Sequence, residues 1–286
     1  MSIDDEKSIW DHIDELAKRL RRIIFSVAAS TILILSIPGD FASIFRLDFS
    51  NYKPMISILI ESIKETLLPE GVSLIALNWL DTFTIFVIVG LVIGILVSLP
   101  VIAYEIYQFI IPALYPHERE ALFKFVGAFS ALFIVGVVYA YFLLLPITFN
   151  VLLRFVYQTG AVPLFSILDF FNIVAVGLVG SGLFYTLPLV IYITVKMGII
   201  DVQTLRENRR KVLVGLLVVT AILTPDPSPF SMMLMTVPFY LIYELTIQIV
   251  SRIKGKERHQ YTIERGIKAS RKLVEGTPKP IPPKPA

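Results

Sequence analysis

The feature of this sequence that most restricts its fold is the apolar run at residues 83–103, FTIFVIVGLVIGILVSLPVIA, which carries no charge. About 20 apolar residues in a helix are needed to cross the roughly 30 Å hydrocarbon core of a bilayer. The whole chain follows the same trend, because 55% of its residues are hydrophobic and only 17% are charged, which is outside the usual range of soluble domains. The sequence therefore predicts an all-α membrane protein.

Five further apolar runs complete a predicted bundle of six transmembrane helices. The fifth of the six spans is unusual, because its roughly 12 apolar residues make under about 20 Å of helix. A span this short requires a locally thinned membrane. It is joined to the last span by the turn TPDPSP, so the last two helices are predicted to be short. The five runs lie at residues 23–37, 122–145, 170–195, 211–223 and 230–250.

The distribution of Lys and Arg predicts the orientation of the bundle. The N-terminus, the segments 104–124 and 196–211 and the C-terminal tail together hold 22 of the 26 Lys and Arg residues. The positive-inside rule places such segments in the cytoplasm, so both termini are predicted to be cytoplasmic and the location is the cell membrane. The connections at 38–80 and 146–169 are then outside, together with the TPDPSP turn.

Three parts of the chain are expected from this layout. Residues 1–22 form a cytoplasmic amphipathic segment, in which Ile13, Leu16, Ala17 and Leu20 share one helix face. Residues 23–250 form the six-span bundle. Residues 251–286 form a basic, proline-rich cytoplasmic tail, which is predicted to be disordered because it has no means of building a core.

The outer connection at 38–80 contains a second amphipathic pattern, MISILIESIKETLL. Its apolar residues recur at helical spacing, with charged residues opposite. We expect this helix to lie on the outer surface or to cap the bundle. The apolar positions are Ile56, Leu59, Ile60, Ile63 and Leu67, and the charged ones are Glu61, Lys64 and Glu65.

The sequence lacks the residues that several kinds of membrane enzyme require. No GxxxxGK[ST] phosphate loop occurs, cysteine is absent, and the three histidines, His12, His117 and His259, all fall in predicted cytoplasmic segments. No catalytic, metal or cofactor site is therefore predicted. Ser181 in VGSG has no intramembrane histidine to activate it, so helix packing is the expected role of this small residue. The basic tail is interpreted as a topology signal or a lipid-facing patch rather than a nucleic-acid site.

Carboxylates near the ends of the spans allow two interpretations. Glu15 has Lys18 and Arg19 at the spacing of a helical ion pair, and Glu118 follows a proline at a helix start, where the helix dipole favours acids. Alternatively, Glu15, Glu118 and Glu105 form an acidic group for a cationic cytoplasmic ligand, because carboxylates bind guanidinium groups bidentately. Spacing alone leaves both interpretations open.

Glu244 lies about six residues inside the last span, or roughly 9 Å deep. An ionisable residue at this depth is a functional candidate by default. Its side chain is expected either to extend to the cytoplasmic surface or to meet a polar partner such as Thr186 or Gln248.

The segment SLPVIAYEIYQFIIPALYPHERE resembles the first cytoplasmic loop of the TatC family, the polytopic subunit of the twin-arginine protein translocase. Four other segments resemble family landmarks in the same order, so the resemblance covers about residues 9–252. They are HIDELAKRL near the N-terminus, LLPEGVSLI in the first outer segment, GIIDVQTLRENRRKVLVG in the second cytoplasmic loop and LTPDPSPFSMMLMTVPFYLIYE in the last hairpin.

The resemblance implies a receptor that binds twin-arginine signal peptides of folded cargo at its cytoplasmic face. It implies recruitment of TatA-type and TatB-type single-span subunits, export driven by the proton-motive force, and a homo-oligomer within a hetero-complex. Matching motifs imply that Glu15 and Glu118 face the two signal arginines. They further imply that Arg19, Leu20, Phe109, Pro112, Leu114, Tyr115 and Arg119 shape the site, and that Pro100 matches a family position in the second span.

Three positions depart from the family pattern. Thr186 stands in FYTLP where many members carry Glu or Gln, so it can form a hydrogen bond with a partner helix but cannot hold a charge. Ala17 replaces the usual arginine of the first motif. Glu105 stands where glutamine is common, which makes the predicted site more acidic and favours a dication.

Two other functions are alternatives for a six-span membrane protein. A small secondary transporter or channel would use Glu244 and polar residues of the second and fourth spans, but the halves show no internal repeat and the spans hold few charges. An intramembrane protease would need a base that the spans lack.

Overall fold

The computed structural model describes residues 9–39, 54–110, 121–196, 198–223, 229 and 232–252. These residues are mostly helical, which confirms the all-α part of the predicted fold class. The helices are α1 (Ile9–Ser36), α2 (Met55–Leu67), α3 (Asp81–Ile110), α4 (Ala121–Tyr139), α5 (Leu145–Thr159), α6 (Ile167–Lys196), α7 (Val202–Glu207), α8 (Arg209–Leu223) and α9 (Met232–Arg252), and two short strands are β1 (Ser73–Ile75) and β2 (Leu164–Ser166).

Four helices within the described ranges are long and apolar enough to cross a membrane. They are α3, the rod formed by α4 and α5, α6, and α9. The first half of α1 is charged, which leaves an apolar part from Ile23 to Ser36 of about 21 Å. The predicted fifth span corresponds to α8, which has 15 described residues. Much of the surface of the long helices is apolar and exposed, including Phe83, Phe142 and Leu241, as expected for lipid contact.

The rod formed by α4 and α5 runs well beyond the predicted end of the third span. A π-helical turn at Ala140–Leu144 joins the two helices, and the helix continues to Thr159. The predicted outer connection at 146–169 is thus helical from residue 146 to 159, and its position outside the membrane stays a prediction. Pro146 lies directly after the π-helical turn, where the regular i→i−4 hydrogen-bond pattern is already interrupted, so its missing N–H costs less than in a regular helix interior.

The centre of the bundle is α6, which packs against α3 and α4. At the α4–α6 crossing, Ser181 Oγ donates a hydrogen bond to the carbonyl of Gly136 at 2.9 Å, and Gly182 lies against the ring of Phe133. Such small residues allow two helix backbones to approach closely. The expectation that Ser181 serves helix packing is confirmed by this contact.

At the opposite end from the start of α1, α2 and the two strands cover the bundle. The predicted apolar face of α2 packs inward, with Ile56 and Leu67 buried, while Glu61 and Glu65 are exposed. β1 and β2 pair in parallel, with Leu74 opposite Phe165. The pairing was not predicted, because it joins residues some 90 positions apart in two short segments without a clear strand pattern.

Candidate functional site

The end of the bundle where α1 begins and α3 ends carries a cluster of four charged side chains. α1 and α3 run antiparallel, which brings the first half of α1 beside the last two turns of α3. The cluster consists of Glu15, Arg19, Arg22 and Glu105, and we call it the α1–α3 ion-pair cluster.

Arg19 links the two carboxylates of this cluster. Its Nη2 and Nε atoms lie 2.5 Å and 3.2 Å from Glu15 Oε1, and its Nη1 lies 3.2 Å from Glu105 Oε2. The Glu15–Arg19 contact is the i,i+4 pair that the sequence suggested. Because the same guanidinium also bonds Glu105, the pair belongs to a tertiary network and is more than a local helix contact.

Glu105 is the buried member of the cluster, with only 5% of its side chain exposed. Arg22 Nη1 lies 3.3 Å and 3.4 Å from its two oxygens, so both oxygens of Glu105 contact arginines of α1. A buried carboxylate is costly unless its charge is paired and hydrogen-bonded. The arginines of α1 meet that requirement.

The face of α1 that points away from α3 is apolar. Ile13, Leu16, Ala17 and Leu20 are all exposed, whereas Glu15 and Arg19 turn towards the bundle. This helix therefore reverses the arrangement of an amphipathic helix on a soluble domain. The reason is that a membrane interface can solvate the apolar face, while Glu105 provides a charged partner on the protein side.

Aromatic residues line the last turns of α3. Tyr107 is buried against Phe125 of α4, with ring centroids 5.1 Å apart. Tyr104 is exposed and accepts a hydrogen bond from Gln108 Nε2 at 3.2 Å. Phe109 is half-buried at the end of the helix. These rings form an apolar border beside the charged cluster.

An apolar groove of about 410 Å³ adjoins the cluster on its membrane side. Its walls come from α1, α3, α4 and α6. Ile23, directly after Arg22, and Ile102, one turn before Glu105, mark the end of the groove that meets the charges. The surface therefore changes from charged to apolar within about one helical turn.

The structure brings together three of the predicted site residues and separates others. Glu15, Arg19 and Glu105 are in contact, whereas Leu20 is exposed on the outward face of α1. Arg22 was not singled out as a site residue, although its spacing of three from Arg19 places it on the same helix face. The predicted residues Pro112, Leu114, Tyr115, Glu118 and Arg119 lie outside the described residues.

Glu244 forms a second ion pair, between α9 and α8. Its Oε1 atom lies 2.7 Å from Arg209 Nη2. Of the two expectations for Glu244, the structure shows a polar partner, but this partner is Arg209 and not Thr186 or Gln248. Thr186 instead donates to the carbonyl of Leu183 at 2.7 Å. The partner was missed because Arg209 lies in the preceding loop of the sequence, and only the antiparallel packing of α8 and α9 brings it to the depth of Glu244.

Two atoms of this second pair remain unbonded. Glu244 Oε2 and Arg209 Nε are buried and have no hydrogen-bond partner within the described ranges. The remaining predicted intramembrane position, Pro100, is exposed inside α3. A proline there removes one backbone hydrogen bond and favours a kink.

Comparisons with known proteins relate this arrangement to one family. A family model described as Sec-independent protein translocase protein (TatC) matches residues 11–238. A protein named Sec-independent protein translocase protein TatC from Escherichia coli O6:H1 (strain CFT073) is 30% identical over 260 residues, covering 91% of this chain and 94% of that protein. A protein of the same name from Aquifex aeolicus (strain VF5) is 34% identical over 191 residues, covering 65% of this chain and 78% of that protein.

A solved structure shares the fold. The crystal structure described as the twin arginine translocase receptor TatC superposes with a TM-score of 0.67 at 28% identity, and the match covers 84% of this chain and 98% of that chain.

Proposed function

The chain belongs to the TatC family of Sec-independent protein translocase proteins, and we propose that it is the receptor and core subunit of a twin-arginine translocase. On this proposal it binds twin-arginine signal peptides of folded proteins at the cytoplasmic face of the cell membrane. The family is a translocase component and no enzymatic activity is assigned to it. Cargo export then draws on the proton-motive force.

The observation that carries this proposal is the α1–α3 ion-pair cluster. It sets Glu15 and Glu105 around a single guanidinium, that of Arg19, so this end of the bundle has the geometry to bind arginine side chains. Guanidinium groups bind carboxylates in a planar fork that an ammonium group cannot reproduce. Glu118, Arg119 and the other residues of the 111–120 segment are proposed to complete the site.

The neighbouring groove supports the same assignment. A signal peptide presents cationic residues next to an apolar stretch, and the surface here presents carboxylates next to an apolar groove. Desolvation of that stretch would add affinity in proportion to the apolar area buried. Leu20 and Phe109 are proposed to contact the peptide at the border.

We further propose that partner subunits bind along the α6 and α9 side of the bundle. Glu244 Oε2 has no hydrogen-bond partner among the described residues, and such an atom in a span favours a polar group from a neighbouring helix. Pro100, which is exposed on α3, is proposed as a second contact for TatA-type or TatB-type helices. Thr186 is buried on α6 and is proposed as a polar intramembrane position. Several copies of the chain would assemble with these subunits and with membrane lipid, without nucleic acid.

The proposed orientation has both termini in the cytoplasm. The packing supports it, because the first half of α1, the end of α3, α7 and the start of α8 lie at one end of the bundle and carry most of the described Lys and Arg residues. The chain would then comprise the N-terminal segment 1–22, six spans in 23–250 and the tail 251–286. The prediction that the last two helices are both short is wrong for the last one, because α9 has 21 residues and is long enough to cross a membrane.

A transporter function gains no support from the described cavities. Three pockets among the described residues are lined almost wholly by apolar side chains. A solute or ion path would need convergent polar groups.

The proposed function is tested by binding of a fluorescent twin-arginine signal peptide to the full chain in nanodiscs. The peptide should bind more tightly with Arg-Arg than with Lys-Lys, and Glu15→Gln and Glu118→Gln should each weaken binding at least about tenfold, since a charged hydrogen bond is worth about 1.5–3 kcal/mol. Glu61→Gln is the matched control, because Glu61 is an exposed carboxylate at the opposite end of the bundle. Equal binding of both peptides to all variants would refute the receptor assignment.

A further inference from the structure

The carboxylates of the α1–α3 ion-pair cluster are already engaged by arginines of the same chain. Glu105 contacts Arg19 through Oε2 and Arg22 through both oxygens, and Glu15 contacts Arg19. The chemical groups that occupy the cluster are thus the same as those that a twin-arginine ligand would bring. An incoming guanidinium has to share or displace an existing one.

The two arginines differ in how firmly they are held. Arg19 bonds two carboxylates, with a shortest contact of 2.5 Å, and only 15% of its side chain is exposed. Among the described residues, Arg22 contacts Glu105 alone, at 3.3 Å or more, and 64% of its side chain is exposed. A long ion pair whose cation is exposed is weakened, because solvent screens the cation and its side chain loses rotamer freedom in forming the pair. Arg22 is therefore the arginine that can leave.

We propose that Arg22 is a built-in competitor of the signal peptide, which occupies Glu105 in the unliganded receptor and is displaced when a ligand guanidinium arrives. This inference rests on the proposed function, and it assigns a regulatory role to a residue outside the predicted site. The buried carboxylate of Glu105 stays paired at every stage, first with Arg22 and then with the ligand. The site thereby avoids the cost of an unpaired buried charge.

The competition has a measurable consequence. Replacing Arg22 by glutamine removes both the displacement step and the repulsion between Arg22 and the ligand cations. Arg22 is mostly exposed, and Glu105 keeps Arg19 as a second partner. Loss of Arg22 should therefore have an effect on the scale of an exposed ion pair, about a two- to fivefold change in an equilibrium constant. Arg22→Gln should therefore bind an Arg-Arg peptide about two- to fivefold more tightly than the unmodified chain.

Arg21 supplies the matched control. It is the adjacent residue, carries the same charge, is exposed, and forms no ion pair with any residue that the structure describes. Arg21→Gln changes the net charge of the helix equally, so any general electrostatic effect on peptide binding appears in both variants. A gain in affinity confined to Arg22→Gln identifies the contact with Glu105 as its cause.

The experiment is a titration of the Arg-Arg peptide against the full chain in nanodiscs, with the unmodified chain, Arg22→Gln, Arg21→Gln, Glu105→Gln and the Arg22→Gln/Glu105→Gln double variant. A double-mutant cycle isolates the pairwise effect. The expected result is a gain for Arg22→Gln that disappears in the Glu105→Gln background. The proposal is overturned if Arg22→Gln binds no more tightly than Arg21→Gln, or if the gain persists without the Glu105 charge.

The outcome separates this inference from the receptor assignment. Binding of the Arg-Arg peptide to the unmodified chain, in preference to Lys-Lys, tests the receptor function by itself. If that preference is present and the Arg22 variants behave alike, the receptor function stands and the competitor role fails. Size-exclusion elution of each variant before titration shows that it is folded. The affinity of Arg22→Lys for the Arg-Arg peptide should lie between those of Arg22→Gln and the unmodified chain, because lysine retains the charge without the planar fork.

Discussion

Replacement of Gly136 by alanine should destabilise the bundle, because α4 and α6 cross at this glycine. A methyl group there would come within 2.6 Å of the Ser181 carbonyl oxygen and 2.9 Å of Tyr185 Cβ. The obstructing oxygen belongs to the backbone of α6, so it cannot rotate away as a side-chain tip would. The helices would have to separate by several tenths of an ångström along their length.

The size of the effect follows from three contributions. Overpacking in a filled core costs about 1–3 kcal/mol, and the separation also weakens the hydrogen bond from Ser181 to Gly136, worth about 0.6 kcal/mol in a membrane protein. Alanine recovers up to about 1 kcal/mol through its better helix propensity. The net loss is about 1–3 kcal/mol, which at about 2–4 °C per kcal/mol for a chain of this size lowers the melting temperature by roughly 2–12 °C.

Thermal unfolding in detergent, followed by intrinsic fluorescence, measures this loss. Gly127→Ala is the control, because Gly127 lies in the same helix and a methyl group there meets no atom within 4 Å among the described residues. Gly127→Ala should leave the melting temperature unchanged or raise it slightly. Equal melting temperatures for Gly136→Ala and Gly127→Ala would refute the close approach of α4 and α6.

Two further changes test the contacts at the end of the bundle near α7 and α8. Arg209→Gln removes the partner of Glu244 and should lower the melting temperature by a few degrees, because a partly buried carboxylate loses its ion pair. The exchange Arg209→Glu/Glu244→Arg should recover part of the loss. Absence of any recovery would show that the pair is not a direct contact. Tyr243→Phe removes the hydrogen bond that Tyr243 donates to the Leu205 carbonyl at 3.2 Å and should cost about 1 kcal/mol. Limited trypsinolysis at Arg206 should then be faster than in the unmodified chain, because the lost hydrogen bond holds the neighbouring residue Leu205. The control is Tyr240→Phe, which changes a half-buried neighbouring ring and should leave the cleavage rate unchanged.

The positions of the long helices could be predicted because the bilayer sets their length and composition. Residues 83–103 and 170–195 fall within α3 and α6. The helix that contains the third span is longer than the predicted span, for a local reason. The predicted run ends at residue 145, whereas the π-helical turn at Ala140–Leu144 carries the helix onward to Thr159. Periodicity does not report such a turn, because the neighbouring residues remain equally apolar.

The partners of Glu105 could not be predicted from the sequence. The family pattern shows that an acid stands here in place of the common glutamine, but the arginines that pair with it lie more than 80 residues earlier in the chain. Similarly, Glu244 was identified as a buried charge while Arg209 was not identified as its partner. The five predicted residues between 112 and 119 lie outside the described residues and remain predictions.

The sequence by itself determined that the chain is a helical membrane protein with TatC-like motifs, because apolar length and charge distribution act locally along the chain. Only the tertiary structure decided which charges meet. The first half of α1 could turn either its apolar face or its charged face towards the bundle, and the pattern of residues is the same in both cases. The charged face turns inward because Glu105 of α3 is buried there and must be paired, and no local pattern in α1 carries that information.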